Sequence, residues 1–272
     1  MTVSELLFEI SGSTRFDILQ ALNSTPLGFT KISEQVDITT SEASRQIARL
    51  IKADLIEKSS DGMYYITPFG RLLLSFIPGI DYIYNNRDYF LLHDTAPFPN
   101  EFIMRFGEIS NARFIRGAID TVNLLQKCIQ NVTGYHYAMV DTVIHSMIPR
   151  VIDNIRAGAD FKLIFPYNYE EEFARLVDEY AITDECLSVM EIRTLPSVPL
   201  YIGVTDAGCW FKLPDFEGNI DHSVIIVGKD PVFSRWCHDL YAYYWEQAKP
   251  LMIPRLPVRD QYEYSLTRSK EQ

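Results

Sequence analysis

The chain has 272 residues, 47% of them hydrophobic and 13% aromatic, with a formal net charge of −11. That composition excludes a disordered chain and supplies apolar side chains for two domains. The longest apolar runs, such as Leu72-Leu73-Leu74, are far short of a membrane span, and Met1-Thr2-Val3-Ser4 does not open a basic-then-apolar leader. A cytoplasmic protein without membrane contact is expected. Cys128, Cys186, Cys209 and Cys237 lie far apart with no C-x-x-C pair, which argues against a zinc finger or a disulfide framework. Reduced core thiols are expected, with no metal and no cofactor. Residues 1–75 hold seven basic and nine acidic side chains, so most of the negative charge falls in the rest of the chain.

In chain order, Ser13 is a candidate cap for a helix with Phe16, Ile18, Leu19 and Leu22 facing inward, and Thr25-Pro26-Leu27-Gly28 is a loop. Thr30 is a candidate cap for a short second helix, with Ile32 and Val36 four apart. A third helix follows in TTSEASRQIARLIKADLI. Thr39-x-x-Glu42 reads as a capping box, and Ala43, Ile47, Leu50 and Ile51 recur at helical spacing. Leu55 to Ser59 and Met63 to Thr67 then flank Ser60-Asp61-Gly62, a strong hairpin signal.

Three short helices followed by a hairpin describe a winged helix-turn-helix over residues 1–75. Ser44-Arg45-Gln46-Ile47-Ala48-Arg49-Leu50 with Leu55-Ile56 resembles the multiple-antibiotic-resistance and arsenic-responsive repressor type of domain. Asp54 stands where that pattern has Gly, and Asp tolerates a left-handed backbone better than most residues. Thr67-Pro68-Phe69-Gly70-Arg71 is similar to the threonine-capped start of the helix after the wing in those domains.

With Ala43, Ile47 and Leu50 turned to the core, Thr40, Ser41, Ser44, Arg45, Gln46 and Arg49 are expected to face outward. They are candidates for contacts to phosphates and base edges of double-stranded DNA, and Lys58 on the wing is a candidate backbone contact. A solvated helix face is the competing reading. Residues 39–67 hold four basic and four acidic side chains. One copy should therefore bind weakly, and a homodimer on two half-sites is expected.

Residues 76–99 read as a helical connector. Phe69 to Phe76 and Tyr82 to Leu92 have helical patterns broken near Ile77-Pro78-Gly79, and Thr95-Ala96-Pro97-Phe98-Pro99 marks a linker. Such an arm either dimerises the chain or packs on the second domain.

From residue 100 to 252, helices and strands alternate. Helical stretches are expected at Asp120 to Gln130, Pro149 to Ala157, Tyr169 to Tyr180 and Pro231 to Ala248. Strands are expected at Tyr135 to Val140, Phe161 to Phe165, Leu187 to Thr194, Leu200 to Thr205, Cys209 to Leu213 and Ser223 to Val227. The whole chain is then α+β, with an α/β second domain of mixed sheet. A polar tail over 253–272 completes it.

Val204-Thr205-Asp206, Leu213 to Asp221 with Gly218 between, and Trp236 with Leu240, Tyr241 and Tyr244 resemble the C-terminal signature of the archaeal filament-switch and methanogenesis regulators. The resemblance implies a winged helix followed by a middle domain of phospholipase-D-like fold. Phospholipase-D chemistry needs an H-x-K pattern, and none of His93, His136, His145, His222 and His238 has Lys two residues on. No other hydrolase, metalloprotease, nucleotide or dinucleotide motif is present, so no enzyme is expected.

A domain without catalysis either senses a ligand or organises the dimer. Ligands of α/β sheets bind beyond the carboxyl ends of strands, which points to Asp141, His145, Tyr167, Asn168 and Arg193 as candidate contacts to a small-molecule effector. Asp141 and His145 lie four apart, a spacing open to a polar ligand or metal or to a capping role. Cys237 beside His238 is a redox candidate unless buried. The reading is a sequence-specific DNA-binding transcription regulator. The alternative is a winged-helix protein-interaction module that docks transcription machinery without reading DNA.

Overall fold

The structure, a computed structural model, describes residues 1–251. The expected polar tail, 253–272, lies outside the described residues. The chain divides into two compact units, Met1–Asp81 and Tyr82 onward, with the division inside one helix. No helix among the described residues is long and apolar enough to cross a membrane.

The first unit begins with a helix that the sequence reading missed, α1 (Val3–Ser11). Its capping box is plain in retrospect: Thr2 Oγ1 accepts from the Glu5 amide, and the Thr2 amide donates to the Glu5 carboxylate. Next come α2 (Ser13–Ser24), β1 (Leu27–Gly28), α3 (Phe29–Val36) and α4 (Thr40–Lys52). The hairpin is β2 (Ile56–Lys58) and β3 (Met63–Ile66), followed by α5 (Pro68–Leu74) and α6 (Ile77–Asn85). Two expected caps are not used, because Gly12 and Gly28 occupy the N-cap positions of α2 and α3, leaving Ser13 and Thr30 inside their helices. Only half of the Thr39 capping box forms. Thr39 Oγ1 accepts from the Glu42 amide, while the Glu42 carboxylate turns to Arg45 and Gln46.

Ile18, Leu19, Leu22, Ile32, Ala43, Ile47, Leu50 and Leu55 form the first core. Burying each large apolar side chain contributes about 1.5–3 kcal/mol. That sum explains why an eight-residue helix such as α3 holds its shape only in this company. The wing is three-stranded in the order β1-β3-β2, because Leu27 and Gly28 pair with Tyr64 and Met63. Two residues are too few to leave an alternating pattern, so β1 was not visible in the sequence. Asp54 adopts the left-handed conformation expected of it (φ 58°), and Gly62 turns the hairpin at φ 85°.

α6 begins at Ile77 and carries Pro78 in its first turn, where the missing amide costs nothing. The helical break therefore lies at Ser75-Phe76, earlier than expected. Residues 76–99 are divided between the two units. Tyr82, Tyr89 and Phe98 are buried in the core of the second, so Thr95 to Pro99 is packed chain rather than linker. This segment contains α7 (Arg87–Phe90), and α8 (Asn100–Ile103) follows it.

The second unit is built on an eight-stranded sheet. Its elements are β4 (Arg113–Arg116), α9 (Ala118–Gln130), β5 (Tyr135–Met139), α10 (Ile148–Arg156), β6 (Asp160–Pro166), α11 (Glu170–Glu179) and α12 (Asp184–Val189). Then come β7 (Met190–Leu195), β8 (Tyr201–Thr205), β9 (Gly208–Lys212), β10 (Val224–Gly228), α13 (Pro231–Gln247) and β11 (Lys249–Pro250). The order is β11-β7-β6-β5-β8-β9-β10-β4, with β5, β6 and β7 parallel and the other pairings antiparallel. Leu187 to Thr194, expected as one strand, is the end of α12 followed by β7, and β4 was not expected.

Both faces of the sheet are covered, which is why every residue of β8 and β9 is buried. One face packs on α13 and the 82–112 segment, through Phe233, Trp236, Leu240 and Tyr244. The other packs on α9 to α12. The signature residues are structural. Asp206 accepts from the Thr133 and Gly134 amides and pins the start of β5; Gly218 turns at φ 90°; Trp236 Nε1 donates to the Phe102 carbonyl at 3.2 Å.

Candidate nucleic-acid interface

The helix α4 buries Ala43, Ile47 and Leu50 and exposes Thr40, Ser41, Ser44, Arg45, Ala48 and Lys52. Thr40, Ser41, Ser44 and Arg45 thus lie where the spacing put them. Gln46 does not. It is 8% exposed, its carbonyl oxygen accepts from Arg15 Nη1 at 2.9 Å, and its amide nitrogen donates to Glu42. Its position at the edge of the apolar stripe made it look outward; Arg15 covers it.

Arg49 is also held. Its Nε and Nη2 donate to the two oxygens of Glu9 on α1, at 3.0 and 2.7 Å, and its guanidinium lies 5.4 Å from the Phe8 ring centre. Those hydrogen bonds, with Arg15 beside them, hold the Glu9 carboxyl below the usual carboxylate range. Arg15 is itself 6% exposed and donates to the Phe8 and Glu9 carbonyls at 2.7 Å each. A closed network of Glu9, Arg15, Gln46 and Arg49 therefore fixes α1 across α2 and α4.

On the wing, Lys58 is exposed, with its ammonium 5.5 Å from the Tyr64 ring centre. Lys52, in the last turn of α4, adds an exposed positive charge that the sequence reading did not select. Its place two turns beyond Arg45 and one beyond Ala48 was the available signal. The face can offer hydroxyls and two cations to a groove, plus Lys58 to a neighbouring phosphate.

In the second unit the five candidate ligand contacts do not form one site. Arg193 donates to the Trp245 carbonyl at 2.8 Å and stacks on its indole at 4.3 Å, on the α13 side of the sheet. His145 lies 3.2 Å from the Tyr180 hydroxyl, and Tyr167 and Asn168 are exposed. Asp141 instead meets His222, whose Nε2 is 3.0 Å from its carboxylate, and His222 Nδ1 is 3.4 Å from Lys212 Nζ. The Lys212 ammonium donates to His222 Nδ1, and His222 Nε2–H faces the Asp141 carboxylate. Lys212 is 1% exposed; burial pushes its ammonium down to about 8, against the opposing pull of Asp141 and Asp221. Cys237 is fully buried and its thiol is raised well above the ordinary value by that burial, which makes it a poor redox centre. Among the described residues, no group of three His, Cys, Asp or Glu side chains is placed to hold a metal ion.

Two families match the sequence: the winged helix-turn-helix over residues 13–82 and the methanogenesis regulatory protein FilR1 middle domain over residues 123–247. No curated protein matches it significantly. Among solved structures, TrmBL2, an archaeal chromatin protein, is 14% identical, with 92% of this chain and 100% of that one covered and a TM-score of 0.42. Nuc from Salmonella typhimurium, a phospholipase D family member, is 11% identical over 53% of this chain and 100% of its own, with a TM-score of 0.41. The family model that the second unit matches is a regulatory domain. With a winged helix-turn-helix in its first unit and the middle domain of a methanogenesis regulatory protein in its second, the chain is a sequence-specific DNA-binding transcription regulator.

Proposed function

We propose that this regulator binds operator DNA as a homodimer through Thr40, Ser41, Ser44, Arg45 and Lys52 of α4, with Lys58 on a flanking phosphate. The observation that carries the reading is the exposed polar face of α4 beside a three-stranded wing. The near-balance of charge in this unit limits what one copy can hold, and two half-sites double the phosphate contacts. Leu72 on α5, Phe76 at the break and Ile80 on α6, 61%, 44% and 60% exposed, offer apolar surface for the second copy. Arg49 contributes through its hold on α1 rather than by contact with bases.

The second unit, in this reading, is a phospholipase-D-like sheet that has lost the catalytic pair and serves as the cytoplasmic sensor of a small-molecule effector. Anisotropy titrations of genomic fragments and scrambled duplexes over a salt series test the DNA claim. Preference for a genomic site, lost in Arg45→Ala, is the expected result; equal, weak binding to all duplexes overturns it. Exposed Val3, Leu7 and Phe8 on α1 favour the second reading, a module that docks another protein. That reading gains if DNA binding is absent at low salt.

A further inference from the structure

Between the sheet and helices α10 and α11 lies a cavity of about 110 Å³. Its walls are almost wholly apolar, with Ala138, Val140, Ile152, Leu163 and Phe173 among them. Exposed Thr142 also lines it and places its mouth in the loop after β5, at the carboxyl end of that strand. Two polar atoms interrupt the lining. His136 is 6% exposed and Trp210 1%, and neither His136 Nδ1 nor Trp210 Nε1 has a hydrogen-bond partner among the described residues. Their rings stand 6.4 Å apart, edge to face. Burial also drives the His136 imidazole down to about 4, so it is neutral at physiological pH.

A buried polar atom without a partner costs about 1–3 kcal/mol, and two residues that each carry one line this cavity. Trp210 is held there by packing: its indole lies against Gly203, where an added Cβ would sit 2.2 Å from the ring. We propose that this cavity is the effector site, and that it takes a small, single-ring apolar molecule carrying one hydroxyl, such as a phenol. The hydroxyl oxygen accepts from the indole N–H, and the same group pairs with His136 Nδ1 in either imidazole tautomer. At about 110 Å³ the space is smaller than the roughly 150 Å³ that admits benzene, so the ring extends into the mouth at Thr142. The identity of the site as an effector site rests on the sensor reading above; the binding itself does not.

The test uses the full chain, with 4-methylphenol and toluene as probes, read by calorimetry and thermal shift. The expected result is saturable binding of 4-methylphenol at least tenfold tighter than toluene. Trp210→Phe, which keeps an aromatic ring and removes the N–H donor, should reduce that preference at least threefold, leaving His136 Nδ1 as the hydroxyl's remaining partner. Ala138→Leu, which adds carbon to the cavity wall, should abolish both. Absence of binding by either probe, or equal binding that Trp210→Phe does not alter, overturns the proposal. Operator affinity measured with and without 4-methylphenol separates the two claims. Binding that leaves operator affinity unchanged supports the cavity and removes the sensor role. An operator response to other metabolites with no phenol binding removes the cavity and leaves the sensor role standing.

Discussion

The two units treat their buried polar groups in opposite ways. In the first, Arg15 donates to two carbonyls and to Gln46, Arg49 takes both oxygens of Glu9, and no polar side-chain atom of Arg15 or Gln46 is left without a partner. In the second, His136, Trp210 and Asp141 each keep a buried polar atom unpartnered, and buried Lys212 makes long contacts to His222, at 3.4 and 3.5 Å, with its ammonium 5.0 Å from the Tyr201 ring centre. A saturated network acts as a joint, because it has one arrangement. An unsaturated one retains bonding capacity, as a site that must accept a partner requires.

The contrast is broken or sharpened most strongly by Arg15→Ala, which leaves Gln46 and two carbonyls unpaired inside the first unit. A loss of about 3–5 kcal/mol is expected by chemical denaturation. Trp210→Phe should cost far less, and comparable losses in the two variants would refute the contrast. Next in size, Arg45→Ala should weaken operator binding by about 1–3 kcal/mol, while Lys52→Ala should flatten the salt dependence by about one unit of slope.

Lys212 gives a pH signature. Its folded value near 8 lies below the ordinary lysine value of about 10.4, so the unfolded chain binds the extra proton between them. Stability should therefore rise as pH increases from 8 towards 10, and Lys212→Met should remove that rise in melting temperature. The smallest effect is expected for Glu9→Gln. It releases Arg49 and should tighten non-specific DNA binding a few-fold at low salt. Because the Glu9 carboxyl is depressed, its stabilisation is present above the ordinary carboxylate range and disappears as pH falls through the folded value. The variant should show a shallower acid limb, and an unchanged one would remove Glu9 from the joint.

Legibility in the sequence followed the range of the interactions. Helix α4, the Asp61-Gly62 hairpin and α13 announce themselves through caps, turns and periodicity, all set by neighbours within a few residues. The polar sites did not. Gln46 looked exposed because the residue that covers it, Arg15, is 31 positions away. Asp141 was assigned to His145 on spacing, whereas its partner His222 stands 81 positions on. His136 and Trp210 read as ordinary strand residues, since nothing local says that two strands will place them around one space.

The junction at Thr67 fixes how α5 leaves the wing. Its hydroxyl donates to the Asp54 carbonyl at 2.7 Å, just after α4, and accepts from the Gly70 amide at 2.9 Å inside α5. Gly70 itself runs so close to Leu55 that a Cβ would meet the Leu55 carbonyl oxygen at 2.4 Å. The chain leaves the wing through α5, and main-chain contact at Gly70 holds the start of that helix against the residues that follow α4. Gly70→Ala, which drives a methyl into the Leu55 carbonyl, should force α5 away from the end of α4 and lower the melting temperature of the first unit.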